Sequence, residues 1–522
     1  MPIPGQDIQY GPWTEGVRYD LPPEDISAVG IRKMENVRLT VSGAAEKRLG
    51  TLSYKSVAAI SGTPTFTVAG EYIIPGGATK VFAAAAAIFY EYSSGWVNRT
   101  GSTTLTAGDD NTWEWAAAFD NLVLTNGVDT DAIKWSGSGN ATVLDDDARF
   151  TQGKHLGFWD NRLWIGNVNG ATDKLWYSDA GDIETWGATS FYLLGAPITA
   201  IAPMQNALAV HTESAIHAFV PTGNATIPYQ LQQRTSSDPH NPQRGGSISG
   251  RGVVSLPGDL QVFPMDDGIY MWDGGERIEK VSHALDLGYW EDINVARLHQ
   301  SHAIYYAGKN EIWFWLPWGT SQTNMNHIMI MSTKLAYVDP VTGERRRVWF
   351  GPFTGNAATF ERNCSAIIDN KPHAGTYGGK LLDHAPANIF SDETAAYVAY
   401  FESAAPAPQG SAVDLRWLYG IVYYDALGEY TVTIEQEGEG LGVNSGTMDT
   451  TAGGGALDTF ELDVDVLGTV RMVSKQIELR GYDPQASLKI SNNNANEPFR
   501  VRRMHPVYKP IGIHRKQSGQ TS

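Results

Sequence analysis

Histidine is the first residue type to consider for chemistry, because imidazole serves both as a metal ligand and as a general base. The sequence scatters its histidines: His211, His240, His283, His299, His302 and His327 include no His-Glu-x-x-His motif and no pair four residues apart. Zinc hydrolase chemistry therefore has no support. His299 and His302 would share a face on a helix, but structural histidines are the default interpretation. The single cysteine, Cys364, excludes an internal disulfide and a cysteine-based zinc site, and it fits synthesis in a reducing cytoplasm.

Acidic residues offer one candidate metal site. Asp145, Asp146 and Asp147 are consecutive and could contribute to a Ca²⁺ site. Calcium needs six to eight oxygen ligands on a loop bent at glycine, and no such pattern follows these residues. The run therefore favours a solvated acidic loop, as does the pair Asp109 and Asp110.

A glycine-rich segment, residues 245–252, is the candidate for phosphate binding. It neither follows a strand pattern nor opens a helix, so we interpret it as a flexible loop rather than a phosphate cradle. The sequence also lacks a Gly-x-Ser-x-Gly elbow and a Walker loop. We accordingly expect no catalytic site, no metal and no cofactor, and a chain that is not an enzyme.

Two basic clusters are candidates for docking or for contact with DNA. Arg345, Arg346 and Arg347 follow the turn 339–344, where they could touch DNA or an acidic neighbour, or could pair with their own acids at an exposed hairpin tip. The C-terminal segment contains the other candidates, Arg502, Arg503, Arg515 and Lys516. Its simplest interpretation is a solvated, frayed terminus, and its alternative is a contact with an acidic partner surface.

The net charge is strongly negative and unevenly distributed. The chain contains 57 acidic and 39 basic residues, a net charge of −18. From residue 498 onward there are six Arg or Lys and no acid, so removing these six charges leaves −24 on the preceding residues. A body this acidic repels a phosphate backbone rather than binding it.

The segment from Trp176 to Trp186 resembles the Asp-box turn of sialidase propellers, although its spacing differs. Asp179 follows Ser178 directly, and the interval from Gly181 to Trp186 is too long. The pattern predicts a structural turn in which a carboxylate accepts backbone N–H bonds and Trp186 packs beneath.

The sequence around these candidate residues contains two kinds of repeated segment. Residues 119–127 and 159–167 each contain an aromatic residue, then Asp-Asn, then a short strand. Looser copies place the anchor residues 40, 45, 53 and 51 apart, at Asn121, Asn161, Asn206, Asp259 and Asn310. A second pattern, an apolar strand with an aromatic residue and a Gly turn, occurs at residues 89–96, 133–137 and 269–275. Two interleaved patterns at one period predict a β-propeller with blades of about 40 to 50 residues.

We therefore predict an all-β chain in four parts. These are an extended N-terminal arm (1–50), a β-propeller (51–385), a C-terminal β-sandwich (386–500) and a basic C-terminal tail (501–522). The Pro/Ala-rich residues 404–410 and the alternating strands beyond them suggest the sandwich. The N-terminus carries no secretory signal pattern, and the longest apolar run, residues 81–90, is about half of what a membrane-spanning helix needs.

Several short motifs, in a fixed order along most of the chain, resemble the podovirus tail proteins known as phage stabilisation, tail hub or tail nozzle proteins. The motifs lie at residues 34–37, Gly43, 47–50, 161–165, 176–186, 198–201, 208–216, 262–270, 490–492 and 497–500.

The resemblance implies a structural virion protein of a short-tailed bacteriophage. Such a protein forms a homo-oligomeric, hexameric ring below the portal and adaptor complex and lines the channel through which the genome is ejected. It implies an adaptor above, tail tip, needle or fibre proteins as partners, transient passage of DNA, and assembly in the host cytoplasm before incorporation into the virion. The alternative is a propeller-based tail protein that binds or degrades glycans.

Overall fold

The computed structural model describes residues 5–513, except 145–150, 225–226, 235–244, 276–277, 340–341, 356–359, 410–412, 429, 439–440 and 450–471. The described part is almost entirely β-structure with short 3₁₀ turns. The six strands before the repeats are β1 (Gln6–Asp7), β2 (Gly16–Val17), β3 (Gly30–Glu35), β4 (Val37–Leu39), β5 (Ala45–Lys47) and β6 (Leu52–Ser53).

Four-stranded antiparallel sheets then follow one another along the chain. Blade 1 contains β7 (Phe66–Ile73), β8 (Thr79–Ala85), β9 (Ile88–Tyr92) and β10 (Trp96–Asn98). Blade 2 contains β11 (Glu114–Ala118), β12 (Asn121–Thr125), β13 (Ile133–Trp135) and β14 (Thr142–Val143). Blade 3 contains β15 (His155–Trp159), β16 (Arg162–Val168), β17 (Ala171–Tyr177) and β18 (Phe191–Leu193).

The next two blades repeat this order. Blade 4 contains β19 (Ile198–Pro203), β20 (Leu208–Thr212), β21 (Ile216–Pro221) and β22 (Tyr229–Arg234). Blade 5 contains β23 (Val254–Leu256), β24 (Leu260–Met265), β25 (Gly268–Trp272) and β26 (Ile278–Lys280). Short 3₁₀ turns flank it at Gly250–Gly252, His283–Leu285, Trp290–Asp292 and Val295–Gln300.

The last two blades close the circle. Blade 6 contains β27 (His302–Tyr306), β28 (Glu311–Leu316), β29 (His327–Val338) and β30 (Arg345–Phe353). Blade 7 contains β31 (Arg362–Ile368), β32 (Lys371–Thr376) and β33 (Leu381–Asp383), and its fourth strand is β6 from before blade 1. Its first strand, β31, contacts β7 of blade 1. The described residues thus form seven blades around one axis, a β-propeller closed by a strand from the N-terminal side.

The predicted repeats correspond to equivalent positions in the blades. The five anchors lie at the turn between the first and second strands of blades 2 to 6. Asn161, Asp259 and Asn310 have φ of 56°, 59° and 57°, which a short polar side chain tolerates. The second pattern coincides with the third strands β9, β13 and β25. The all-β class and the propeller are confirmed.

A β-sandwich continues from blade 6. Its later strands are β34 (Ala399–Ser403), β35 (Val413–Asp425), β36 (Thr431–Gly438), β37 (Leu441–Asp449), β38 (Met472–Glu478), β39 (Ser487–Asn492) and β40 (Arg500–Ile513). One sheet has the order β38-β35-β40-β5-β4, and β1 pairs with β40. The other sheet runs from β30 of blade 6 through β2, β3, β34, β39, β36 and β37.

Two boundaries predicted from the sequence need correction. Residues 6–47 do not form a separate arm, because β1, β3 and β5 pair with β40 and β34 in the sandwich sheets. Residues 500–513 do not form a tail, because β40 lies between β35 and β5. Trp13, Phe401 and Met504 belong to one buried core that extends to Trp313 and Phe350 of blade 6. Sandwich and propeller therefore share a hydrophobic core.

Candidate functional site at the propeller hub

The hub of the propeller contains two cavities that share the lining residues Glu114, Gly250 and Arg251. The mouth cavity has a volume of about 610 Å³ and is lined by the first residues of inner strands together with segment 245–251. The inner cavity, of about 260 Å³, lies further along the same strands. Ile198 of β19 lines the mouth cavity, whereas Ile201, three residues later, lines the inner cavity.

A carboxylate and an imidazole meet at the boundary of the two cavities. Nδ1 of His155 lies 2.9 Å from Oε1 of Glu114, and the amide N–H of Leu156 donates to Oε2 of the same carboxylate at 3.3 Å. Glu114 begins β11 and His155 begins β15, so this contact joins blades 2 and 3. Because the carboxylate receives Nδ1–H, Nε2 of His155 is the ring nitrogen left to meet a ligand in the mouth cavity.

The glycine-rich segment crosses the hub and is packed there. The N–H of Ser247 donates to Nδ1 of His211 at 3.0 Å, and Oγ of Ser249 donates to the carbonyl of Ser301 at 2.5 Å. A Cβ atom at Gly250 would overlap Oε1 of Glu114 and lie 2.8 Å from Nδ1 of His155. The interpretation of this segment as a flexible loop is therefore wrong, since its glycines allow it to lie directly against buried side chains.

Arg251 ties this segment to the last two blades. Its two terminal nitrogens donate to the carbonyls of Gln300 at 2.8 Å and Asn363 at 2.7 Å. Burial lowers the pKa of this guanidinium from its ordinary value. The side chain still places a positive charge between the two cavities, because arginine stays protonated near neutral pH.

The inner cavity also contains a serine and a histidine in contact. Nδ1 of His302 lies 2.7 Å from Oγ of Ser365, and Nε2 lies 3.3 Å from the carbonyl oxygen of Arg362. Burial, followed by the charge of Arg251, holds the pKa of His302 well below its ordinary value. His302 begins β27 and Ser365 lies in β31, so the contact joins blades 6 and 7.

Asp110 lies on an exposed loop, as predicted, but its carboxylate also binds residues that precede blade 6. Its carboxylate accepts from Nε2 of Gln300 at 2.6 Å and from Nη1 of Arg297 at 3.2 Å. Burial alone would raise the pKa of Asp110, but these two hydrogen bonds lower it below its ordinary value. The connection between blades 1 and 2 is thus fixed to the residues that precede blade 6.

The arginine cluster at the hairpin tip is only partly available for docking. Nε of Arg346 forms an ion pair with Asp339 at 3.0 Å, and Nη1 of Arg347 donates to the carbonyl of Thr333 at 3.3 Å. Arg345 is exposed at the start of β30, and in the described part of the chain it has no ion pair.

The C-terminal arginines are held within the sandwich. Arg502 donates to the fully buried carboxylate of Asp425 at 2.5 and 3.0 Å, and Arg500 donates to it at 3.2 Å. The guanidinium of Arg503 lies 4.4 Å from the ring centroid of Tyr423. The predicted residues Arg515 and Lys516 lie outside the described residues.

The N-terminal motifs that resemble tail proteins lie where sandwich and propeller meet. Nε of Arg48 donates to Oδ1 of Asn36 at 2.8 Å, and its Nη2 lies 2.7 Å from Asp392. The same guanidinium lies 3.9 Å from the ring centroid of Tyr397, whose hydroxyl donates to the carbonyl of Arg48 at 2.6 Å. This buried polar junction, Asn36–Arg48–Asp392–Tyr397, connects the N-terminal strands to the chain that leaves blade 7.

Lys47 extends this junction into the second sheet of the sandwich. Its Nζ donates to Oδ1 of Asn492 at 2.8 Å and to the carbonyl of Asn494 at 2.7 Å. Burial and the neighbouring charge of Arg48 lower the pKa of Lys47 to about 8. Asn36 completes the link to the propeller, because Oδ1 accepts the N–H groups of Thr354 and Gly355 at 2.9 and 3.1 Å.

The turn that resembles an Asp-box is structural, as predicted. The carboxylate of Asp182 accepts from the N–H of Glu184 at 2.8 Å and from Oγ1 of Thr185 at 2.7 Å, and Trp186 is buried beneath it. The acidic run at residues 145–147 lies outside the described residues. Among the residues that are described, no group of three or more His, Cys, Asp or Glu side chains could hold a metal ion.

Comparisons with known proteins indicate the fold alone. No protein-family model and no curated protein matches the chain. Solved structures that resemble it include a streptogramin B lyase, with 14% identity and a TM-score of 0.43, which covers 64% of this chain and 97% of its own. Another is virginiamycin B lyase from Staphylococcus aureus in an inactive form with quinupristin, with 12% identity, a TM-score of 0.41 and coverage of 64% and 98%. A third is the N-terminal domain of Nup159, with 13% identity, a TM-score of 0.37 and coverage of 67% and 97%.

These structures contradict one expectation and leave others as predictions. The expectation that the chain is not an enzyme is contradicted, because two of these three structures are of lyases. Because the identities are only 14% and 12%, these structures do not assign a reaction to this chain. None of the three is a phage tail protein, so the resemblance to tail proteins remains a prediction. In the described part of the chain, no helix has the length and apolar character needed to cross a membrane.

Proposed function

We propose that this chain is a structural protein of the tail of a short-tailed bacteriophage. Copies of the chain form a closed ring, hexameric in the simplest case, below the portal and adaptor complex, and the ring lines the channel for DNA ejection. Tail tip, needle or fibre proteins bind at the opposite end. The ring is assembled in the host cytoplasm and functions in the virion.

The buried junction between propeller and sandwich is the observation that carries the proposal. The motifs at residues 34–37 and 47–50, which resemble the start of tail hub proteins, supply Asn36, Lys47 and Arg48 to that junction. These side chains fix the two parts of the subunit at a shared core. The junction holds propeller and sandwich together as one unit, and this supports a subunit that keeps its shape in a closed ring.

Charge supports the same proposal. The excess of 57 acidic over 39 basic residues gives the subunit a net charge like that of DNA. A negatively charged channel wall has few sites that would bind duplex DNA. At physiological salt the electrostatic repulsion reaches only about 8 Å from the wall. The DNA can therefore slide through the ring while remaining close to it.

Light scattering coupled to size-exclusion chromatography tests the proposal. The expected result for the purified full chain is a species about six times the chain mass of 56.9 kDa.

Arg345→Glu should reduce the fraction of chains in the ring if this exposed arginine contacts an acidic neighbour. Lys309→Glu, on an exposed turn of the same blade, is the matched control. A chain that remains monomeric from 1 to about 100 µM contradicts the proposal, because obligate interfaces are larger than about 2,000 Å² and persist at such concentrations.

A further inference from the structure

The hydrogen-bond pattern around His302 fixes its tautomer. The carbonyl oxygen of Arg362 can only accept, so Nε2 of His302, 3.3 Å away, carries the proton. Nδ1 then has a free lone pair and accepts the hydroxyl proton of Ser365 at 2.7 Å. A hydroxyl bonded to an imidazole whose other nitrogen is held by an acceptor is the arrangement of nucleophile, base and orienting group used in acyl transfer.

The surroundings suit the two residues to these roles. His302 is 2% exposed, whereas Ser365 is partly exposed and lines the inner cavity. Burial and the charge of Arg251 lower the pKa of His302, so the ring is neutral near pH 7 and its Nδ1 lone pair is free to accept from Ser365. Because the same surroundings disfavour the protonated ring, we expect ester hydrolysis to be slow. The base is thus shielded from water while the hydroxyl faces the cavity.

A positive charge lies beside the pair. Arg251 lines the inner cavity, and one of its terminal nitrogens donates to the carbonyl of Asn363, two residues before Ser365. A fixed cation next to a nucleophile stabilises the oxyanion that forms when a carbonyl is attacked. The chain thereby supplies three components of an acyl-transfer site from blades 5, 6 and 7.

We infer that Ser365 is the nucleophile of an esterase site that hydrolyses carboxylic esters with short acyl chains. The cavity volume of about 260 Å³ limits the acyl group to a few carbons, since sites for drug-sized ligands occupy about 300 to 1,000 Å³. This activity goes beyond the proposed role in the tail and does not depend on it.

The reaction balances with water as the only co-substrate. Oγ of Ser365 attacks the ester carbonyl carbon, and its proton moves to Nδ1 of His302. The bond between the carbonyl carbon and the alcohol oxygen then breaks, and the alcohol leaves with that proton. A water molecule attacks the acyl-serine, passes a proton to His302, and the carboxylic acid is released as Ser365 regains its proton.

Labelling with a fluorescent fluorophosphonate tests this inference, because the probe reacts with activated serines. The full chain is expected to incorporate one label, and mass spectrometry of the wild-type protein should place it on Ser365. The same protein should hydrolyse p-nitrophenyl acetate. Absence of labelling, or a label on another residue, overturns the inference without the need for any variant.

Variants distinguish catalysis from a purely structural contact between blades 6 and 7. Ser365→Ala should abolish labelling and reduce ester hydrolysis on the order of 100-fold or more. Ser301→Ala is the matched control, because Ser301 adjoins His302 and its buried hydroxyl has no hydrogen-bond partner in the described part of the chain. If Ser365→Ala hydrolyses the ester at the wild-type rate while both proteins remain folded, the pair is only a structural contact.

Discussion

Nη2 of Arg48 lies 2.7 Å from Oδ2 of Asp392, although 344 residues separate them. Arg48 precedes the first blade, and Asp392 follows the last. The pair is thus made only when the propeller has closed and the chain has returned to the sandwich. The side chain of Arg48 is 2% exposed and that of Asp392 is 10% exposed.

Arg48→Ala should therefore destabilise the whole protein. The substitution leaves the carboxylate of Asp392 without its cationic partner and removes one of the hydrogen bonds that Oδ1 of Asn36 accepts. Breaking a buried ion pair in this way costs about 3–5 kcal/mol. Chemical denaturation followed by tryptophan fluorescence measures the loss. Lys55→Ala is the control, because the pair Lys55–Asp369 is more than half exposed on both sides and contributes about 0–1 kcal/mol. Equal effects of the two substitutions would contradict a structural role for the junction.

Gly250→Ala should disturb the hub. The added methyl group would overlap the carboxylate of Glu114 and press on His155, and such overpacking costs about 1–3 kcal/mol. Thermal unfolding measures the effect. Gly95→Ala serves as the comparison, since no atom lies within 4 Å of a Cβ placed there. A Gly250→Ala protein as stable as Gly95→Ala would show that the segment does not pack on the pair in solution.

Acid should destabilise the protein below pH 6.5. Burial lowers the pKa of His211 to about 4 and that of His327 to about 3, and it also lowers the pKa values of His217, His299, His302, His373, His384 and His505. The unfolded chain binds protons near pH 6.5 while the folded chain does not. Stability is therefore complete above pH 6.5 and is lost as the pH falls towards 4, by up to about 1.4 kcal/mol per pH unit for each buried histidine. His299 is exposed, so water screens its charge and its contribution is smaller.

Melting temperatures between pH 7.5 and 4.5 test this expectation. His327→Phe keeps an aromatic ring stacked on Trp318, where the native ring planes are 9° apart and the centroids 4.6 Å apart. The variant should lose less stability on acidification than the native chain, because one titrating group has been removed. An identical acid dependence of the two proteins would exclude His327 as a contributor.

Removal of β40 should unfold the sandwich. A chain that ends at residue 499 lacks the strand that lies between β35 and β5, and it leaves the buried carboxylate of Asp425 without Arg500 and Arg502. We expect rapid proteolysis of the residues after 399 and a lower melting temperature. Arg480→Ala, which removes an exposed ion pair with Glu478, is the control and should unfold like the native chain. A truncated chain with native stability would restore the interpretation of residues 500–513 as a tail.

The blades could be predicted from the sequence because tight turns between strands favour particular residue types. Asp160 and Asn161 have left-handed backbone, with φ of 49° and 56°, which their short polar side chains tolerate. In the turn at Asp120–Asn121 the left-handed residue is instead Phe119, with φ of 52°. The same pair at Asp369–Asn370 forms the first turn of blade 7, with φ of 51° and 59°, although the predicted anchors end at Asn310. Blade 1 uses Pro75, Gly76 and Gly77 at this turn instead, so its copy has no Asp-Asn signal.

The pairing of distant strands could not be predicted in the same way. β5 and β40 have no local signal that they are partners, because hydrogen bonds between main-chain groups do not depend on side-chain identity. The basic character of residues 500–503 suggested exposure, yet Asp425 compensates these charges from 75 residues away. The contacts of Ser365 with His302 and of Glu114 with His155 could not be predicted for a related reason. Each contact joins two blades, so it forms only when the propeller has folded.

Electron microscopy of the purified full chain in negative stain tests the central proposal most directly. Class averages viewed down the particle axis should show a closed ring with a central hole and six-fold symmetry, with one propeller in each subunit. Averages that show only isolated particles of one subunit, without rotational symmetry or a hole, would contradict the role of this chain as a ring of the phage tail.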